Sequence, residues 1–199
     1  VTRSPRFLTA VAAPVLAVVL ALTVSGCGSR ESGAAAVVGD RRISVAAVQE
    51  AYQDIVSVVG QDQQVNQNQI LNLLILEPYL TKAAAAAGRG VSPEDARLNI
   101  KASGSGADPS KMSYPGIEVW RASMAISALQ QSDRPADTVK ATFEGIGNEL
   151  KSAGVHVNPR YGSGLDYVNF SILPEKPNWL ASSATPSPTA PAEEPTPSP

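Results

Sequence analysis

Apolar residues follow three regimes along this chain: an unbroken run near the start, a middle where they recur at helical and strand periods, and an end where they almost vanish. In the middle, Val45, Val48, Tyr52, Ile55, Val56 and Val59 recur at the spacing of one helix face, with Gln49, Glu50, Gln53 and Asp54 opposite. Ser44 stands at the N-cap position and Gly60 at the stop, so the pattern predicts an amphipathic helix. Residues 69–88 differ in kind. Ile70, Leu71, Leu73, Leu74, Ile75 and Leu76 nearly encircle the axis, which marks a central, buried helix. It is too short and too interrupted to span a membrane, and Pro78 should kink or restart it after Glu77. The alanines at 83–87 either let another helix approach closely or leave a shallow groove.

Three further helices are legible. Ser92 caps one, with Pro93 in its first turn and Glu94 and Asp95 facing the positive helix end; it ends by Ser103. Pro115 opens the next, running through Trp120, Met124 and Leu129. Pro135 opens the last, with Val139, Phe143, Ile146 and Leu150 on one stripe and Gly154 as cap. Gly145 and Gly147 weaken it by up to about 1 kcal/mol each.

Strand signals sit at the two ends of this helical region. Residues 34–44 read as two short β-like runs around a Gly39-Asp40 turn. At the far end, VHVNPRYG (155–162) alternates Val155 and Val157 around His156, then leaves the strand at Asn158-Pro159. Its only plausible partner is the first strand, around 36–38. The expected fold is mainly α, about five helices closed by a small sheet that pairs N-terminal and C-terminal strands.

The flanking segments bound where any function can reside. Residues 1–26 carry Arg3 and Arg6, a long apolar run and Val24-Ser25-Gly26 before Cys27, the pattern of a secretory signal peptide. Small residues ahead of the single cysteine match a lipobox, in which Cys27 receives a diacylglyceryl group. An uncleaved anchor helix and a buried structural thiol are the competing readings. Burial sits poorly with the polar, small-residue stretch that follows, 27–33 serving as a flexible linker. Residues 34–168 form the expected domain, and 169–199 an extension and a Pro/Ser/Thr-rich tail whose composition cannot offset ordering entropy. That tail reads either as a spacer or as unselected disorder.

One Cys and one His exclude an internal disulfide and a zinc site of the usual kind, and a net charge of −2 gives no reason to expect nucleic acid. No cofactor is expected. His156 has no Ser, Cys or acid placed near it in sequence as a catalytic partner, and a structural role is expected for it. Arg160 and Tyr161 either recognise a partner or stack on the hairpin and bond to backbone carbonyls. Trp120 is expected in the core; Trp179, beside Pro177, packs back on the domain or contacts a client.

Taken in order, VVGDRRIS, the amphipathic helix, QILNLLI with its Ala-rich end, GVSPED and VHVNPRYG resemble the N-terminal chaperone module of SurA/PrsA-type proteins over about 34–168. The resemblance implies a helical domain that assists folding of exported proteins outside the cytoplasm. It departs from the family in one respect: the residues after the closing strand are too few for a parvulin-type isomerase domain, so no enzyme activity is expected and no catalytic residue is carried over. The expected partners are unfolded or nascent exported polypeptides and the cell membrane, reached through the lipid at Cys27 on its extracytoplasmic face. Met112, Met124 and the alanine run are candidates for an adaptable apolar lining, with core packing as the alternative. The competing function is a lipid-tethered adaptor for one dedicated envelope protein.

Overall fold

The computed structural model describes residues 33–175. The signal segment 1–26, Cys27 and Trp179 lie outside the described residues. Strands β1 (Ala34–Val38) and β2 (Arg41–Ser44) form the expected hairpin around Gly39 and Asp40, where Gly39 adopts φ +55°. Five helices follow: α1 (Val45–Val59), α2 (Gln67–Ala86), α3 (Pro93–Ala102), α4 (Tyr114–Leu129) and α5 (Ala136–Ala153). Strand β3 (Val155–Val157) then pairs antiparallel with β1, Val37 opposite His156, giving the order β2-β1-β3. The first and last parts of the helical unit are therefore tied together as the alternation around His156 predicts. Asn158 strengthens the seam: its N–H donates to Ala35 O at 2.9 Å and its Nδ2 to Ala34 O at 2.8 Å.

Capping chemistry sets the helix starts. Ser44 accepts from Ala47 N, Ser113 from Gly116 N, and Asn66 and Ser92 each complete a reciprocal capping box, with Gln69 and Asp95. The Asp95 carboxyl sits below its ordinary range because the Ser92 hydroxyl and amide donate to it.

Helix α2 is the core of the molecule and packs most extensively on α4. Ile70, Leu71, Leu74, Ile75, Leu76 and Leu80 are all buried. Pro78 does not end it; the helix runs on to Ala86. Among the described residues no helix is long and apolar enough to cross a membrane. A smaller cluster, Val58, Ala96, Ile100 and Ile117, seats α3 against α1 and α4, and Trp120 packs on both clusters while donating from Nε1 to Asn99 Oδ1 at 3.0 Å.

The chain does not leave the fold at 168. Strands β4 (Gly164–Asp166) and β5 (Ser171–Leu173) make a second hairpin, so the expected boundary falls inside it and folded structure extends to Leu173. Asp166 organises its loop, accepting from Val168 N, Asn169 N and Asn169 Nδ2, and these bonds hold its carboxyl below the usual range.

Candidate apolar groove

Helix α2 turns its half-buried side toward a series of adjoining hollows. One, about 370 Å³, lies between α1, α2 and α4 and includes Val59, Leu73 and Trp120 in its walls. A second, about 200 Å³, shares Asn72 and Leu73 with the first and reaches Phe143 and Ile146. The third, about 840 Å³, shares Phe143 and Phe170 with the second and opens between α5 and the β4–β5 hairpin. Shared wall residues make these hollows neighbours, three sections of an interrupted groove. Tyr167, Val168, Leu165 and Leu173 line its widest part, with Lys140, Glu144 and Lys151 from α5. Val168 is 83% exposed and Leu173 42%, so apolar side chains face solvent at its mouth.

The middle of the groove is built by an unusual backbone. Phe170 has φ +50°, left-handed space that an aromatic residue enters at a cost. Two contacts hold it there: Asn72 Nδ2 donates to Phe170 O at 2.5 Å, and the Phe143 and Phe170 rings meet at 6.0 Å between centroids with a 58° tilt. Asn72 Oδ1 is buried and, among the described residues, has no hydrogen-bond partner. Gly147 lets the hairpin approach α5, because a Cβ there would run into the Tyr167 carbonyl; Gly145 faces open space. The two glycines that weaken α5 thus differ in purpose.

A buried ionic cluster lies elsewhere on α2. Arg121 Nη1 is 2.8 Å from Glu77 Oε1, yet no N–H points squarely at that oxygen, so the contact is electrostatic. Arg41 Nη2 is 3.6 Å from Glu118 Oε1. Burial pushes the carboxyls of Glu77 and Glu118 up, against the pull of Arg121 and Arg41. Helix entry of α4 is fixed by Asp54, which accepts from Ser113 N at 2.8 Å and Ser113 Oγ at 2.5 Å.

The residues singled out in the sequence are dispersed. His156 is exposed on β3 beside a small hollow of about 160 Å³, and among the described residues its imidazole meets no hydrogen-bond or ion-pair partner. Tyr161 corrects an expectation. Its ring is buried in the main core and, among the described residues, its hydroxyl has no hydrogen-bond partner, a backbone carbonyl included; burial pushes that hydroxyl's pKa up. Arg160 is exposed, and its amide donates to Asn158 Oδ1. Met112 and Met124 pack on the α3 cluster, away from the groove. Of the alanines, Ala84 is buried, while Ala85 lies beside Gly90 in a shallow depression with Glu77 and Arg121. Among the described residues no group of His, Cys, Asp and Glu could hold a metal ion. The groove is not legible in the sequence, because its aromatic residues come from α5 and from a hairpin with only three residues in each strand. An apolar density in YVNFSIL, 167–173, was the signal available.

Comparison with protein-family models, with curated proteins and with solved structures finds no match to this chain. The class defined by fold and site is a mainly helical domain with a small antiparallel sheet and an open apolar groove.

Proposed function

We propose that this protein is a lipid-anchored, extracytoplasmic binding module for unfolded or nascent exported polypeptides, without isomerase activity, and that its helical domain is of the SurA/PrsA N-terminal type. The observation that carries the reading is the groove: aromatic residues Phe143, Tyr167 and Phe170 line it, and Val168 and Leu173 stand exposed at its mouth. An open, mainly apolar trough that also carries the charged side chains of Lys140, Glu144, Lys151 and Asp166 suits extended apolar stretches of varied sequence better than one small molecule. The lipobox at Cys27 supplies the tether, two or more acyl chains being enough for stable attachment.

The test uses a chain of residues 28–175, which keeps every described element and its core. Added to two unrelated unfolded proteins, it is expected to suppress light scattering from both at near-stoichiometric amounts, and Val168→Asp with Leu173→Asp should abolish the effect. Suppression of neither overturns the chaperone reading in favour of a dedicated adaptor. Anchoring is tested separately: Cys27→Ser should move the protein from the membrane fraction to the soluble one.

A further inference from the structure

The widest section of the groove lies where the described chain ends. Leu173 lines it, and Ser163 fixes the exit: its N–H donates to Leu173 O at 2.9 Å and its hydroxyl to Pro174 O at 3.1 Å. The sequence continues KPNWLA from 176 to 181. Between Leu173 and Pro199, Trp179 and Leu180 are the only large apolar residues. Two such side chains in an otherwise Pro-, Ser- and Thr-rich sequence must face water or cover an apolar surface, and the nearest one begins at their own point of departure. Trp179 lies six residues past Leu173, a reach of up to about 20 Å when extended. Pro174 and Pro177 restrict the backbone between, which lowers the entropy lost on docking.

We infer that residues 176–181 dock, through Trp179 and Leu180, in the hollow between α5 and the β4–β5 hairpin, so that the groove's resident occupant is the protein's own C-terminal segment. A client then has to displace it, a consequence that rests on the function proposed above; the docking does not.

The test compares Trp179 in a chain of residues 28–199 with Trp179 in the free peptide 176–181, using the difference between each chain and its Trp179→Phe variant to remove the Trp120 signal. In the chain, Trp179 emission should be blue-shifted and its quenching by acrylamide severalfold slower than in the peptide, independent of protein concentration. Val168→Asp with Leu173→Asp should return both readings to those of the peptide. Trp179 quenched as fast as the peptide, or protected equally in that variant, overturns the inference. Protection that fades on dilution does so too, and assigns the hollow to a second copy. For clients, 28–175 should bind more tightly than 28–199. Protected Trp179 with no client binding at either length leaves the docking standing and removes the chaperone reading. Unprotected Trp179 with equal client binding at both lengths does the reverse.

Discussion

Arg41 Nη1 donates to the carbonyl oxygen of Leu74 at 2.6 Å. Leu74 is the residue four before Pro78, so its carbonyl is the one that proline, lacking an N–H, leaves without its helical partner. A side chain from the first hairpin therefore completes the hydrogen bonding of the central helix. The same guanidinium faces Glu118 on α4, tying β2, α2 and α4 at one point.

Replacing Arg41 by Met should destabilise the domain by about 2 kcal/mol, since it strands one carbonyl and leaves Glu118 without its cation. Pro78→Ala restores an N–H to Leu74, and in that background the cost of Arg41→Met should shrink by about 1 kcal/mol. A double-mutant cycle from urea unfolding measures this coupling. Strictly additive costs would show that Arg41 acts on something other than the proline gap.

The glycines of α5 offer a matched pair. Gly145→Ala should stabilise the domain by about 0.5–1 kcal/mol, because the site is helical and open. Gly147→Ala meets the same propensity gain but drives a methyl into the Tyr167 carbonyl, and a net loss of about 1–3 kcal/mol is expected. Thermal unfolding of the two variants decides it. Equal effects would mean that the hairpin is not seated on α5.

Much of this was legible because local chemistry and global packing agree. Ser92-Pro93-Glu94-Asp95 announces α3, and the alternation of Val155 and Val157 announces the strand that pairs with β1. What escaped depends on partners distant in sequence. Asp54 reads as a solvated position on α1 but caps α4 through Ser113, fifty-nine residues away. Pro78 reads as a break, yet α2 runs through it, and Arg41 takes up the Leu74 carbonyl that the proline leaves open. Gly164–Asp166 and Ser171–Leu173 lack the paired β-branched residues that mark Val155–Val157, which is why the second hairpin, and the groove it walls, emerge only in three dimensions.

The seam between β1 and β3 can be tested at two neighbouring residues. His156 is exposed and has no partner among the described residues, so His156→Ala should change stability by less than about 0.5 kcal/mol. Asn158→Ala removes the donor to Ala34 O, and should cost about 1–2 kcal/mol while accelerating amide exchange across Val155–Val157. Comparable losses at both positions would contradict the assignment of the seam to Asn158.

Glu77 and Glu118 make a pH prediction whose sign is opposite to that of most carboxylates. Burial raises both above the ordinary value of 4.5, so the folded state holds these protons more tightly than the unfolded chain does. Their favourable contribution is then fully present below the unfolded value and is lost as pH rises through the raised folded values. Asp95, Asp108 and Asp166 are shifted the other way, each by hydrogen bonds to its carboxylate, and favour the fold as pH rises. Bulk pH dependence mixes the two groups, whereas comparison with the Glu77→Gln, Glu118→Gln double variant cancels the aspartates. Urea midpoints of both chains between about pH 4 and about pH 7 should show the wild-type stability, relative to the variant, falling as pH rises. A difference that grows with pH would mean that Arg121 and Arg41 outweigh burial and hold the two carboxylates ionised.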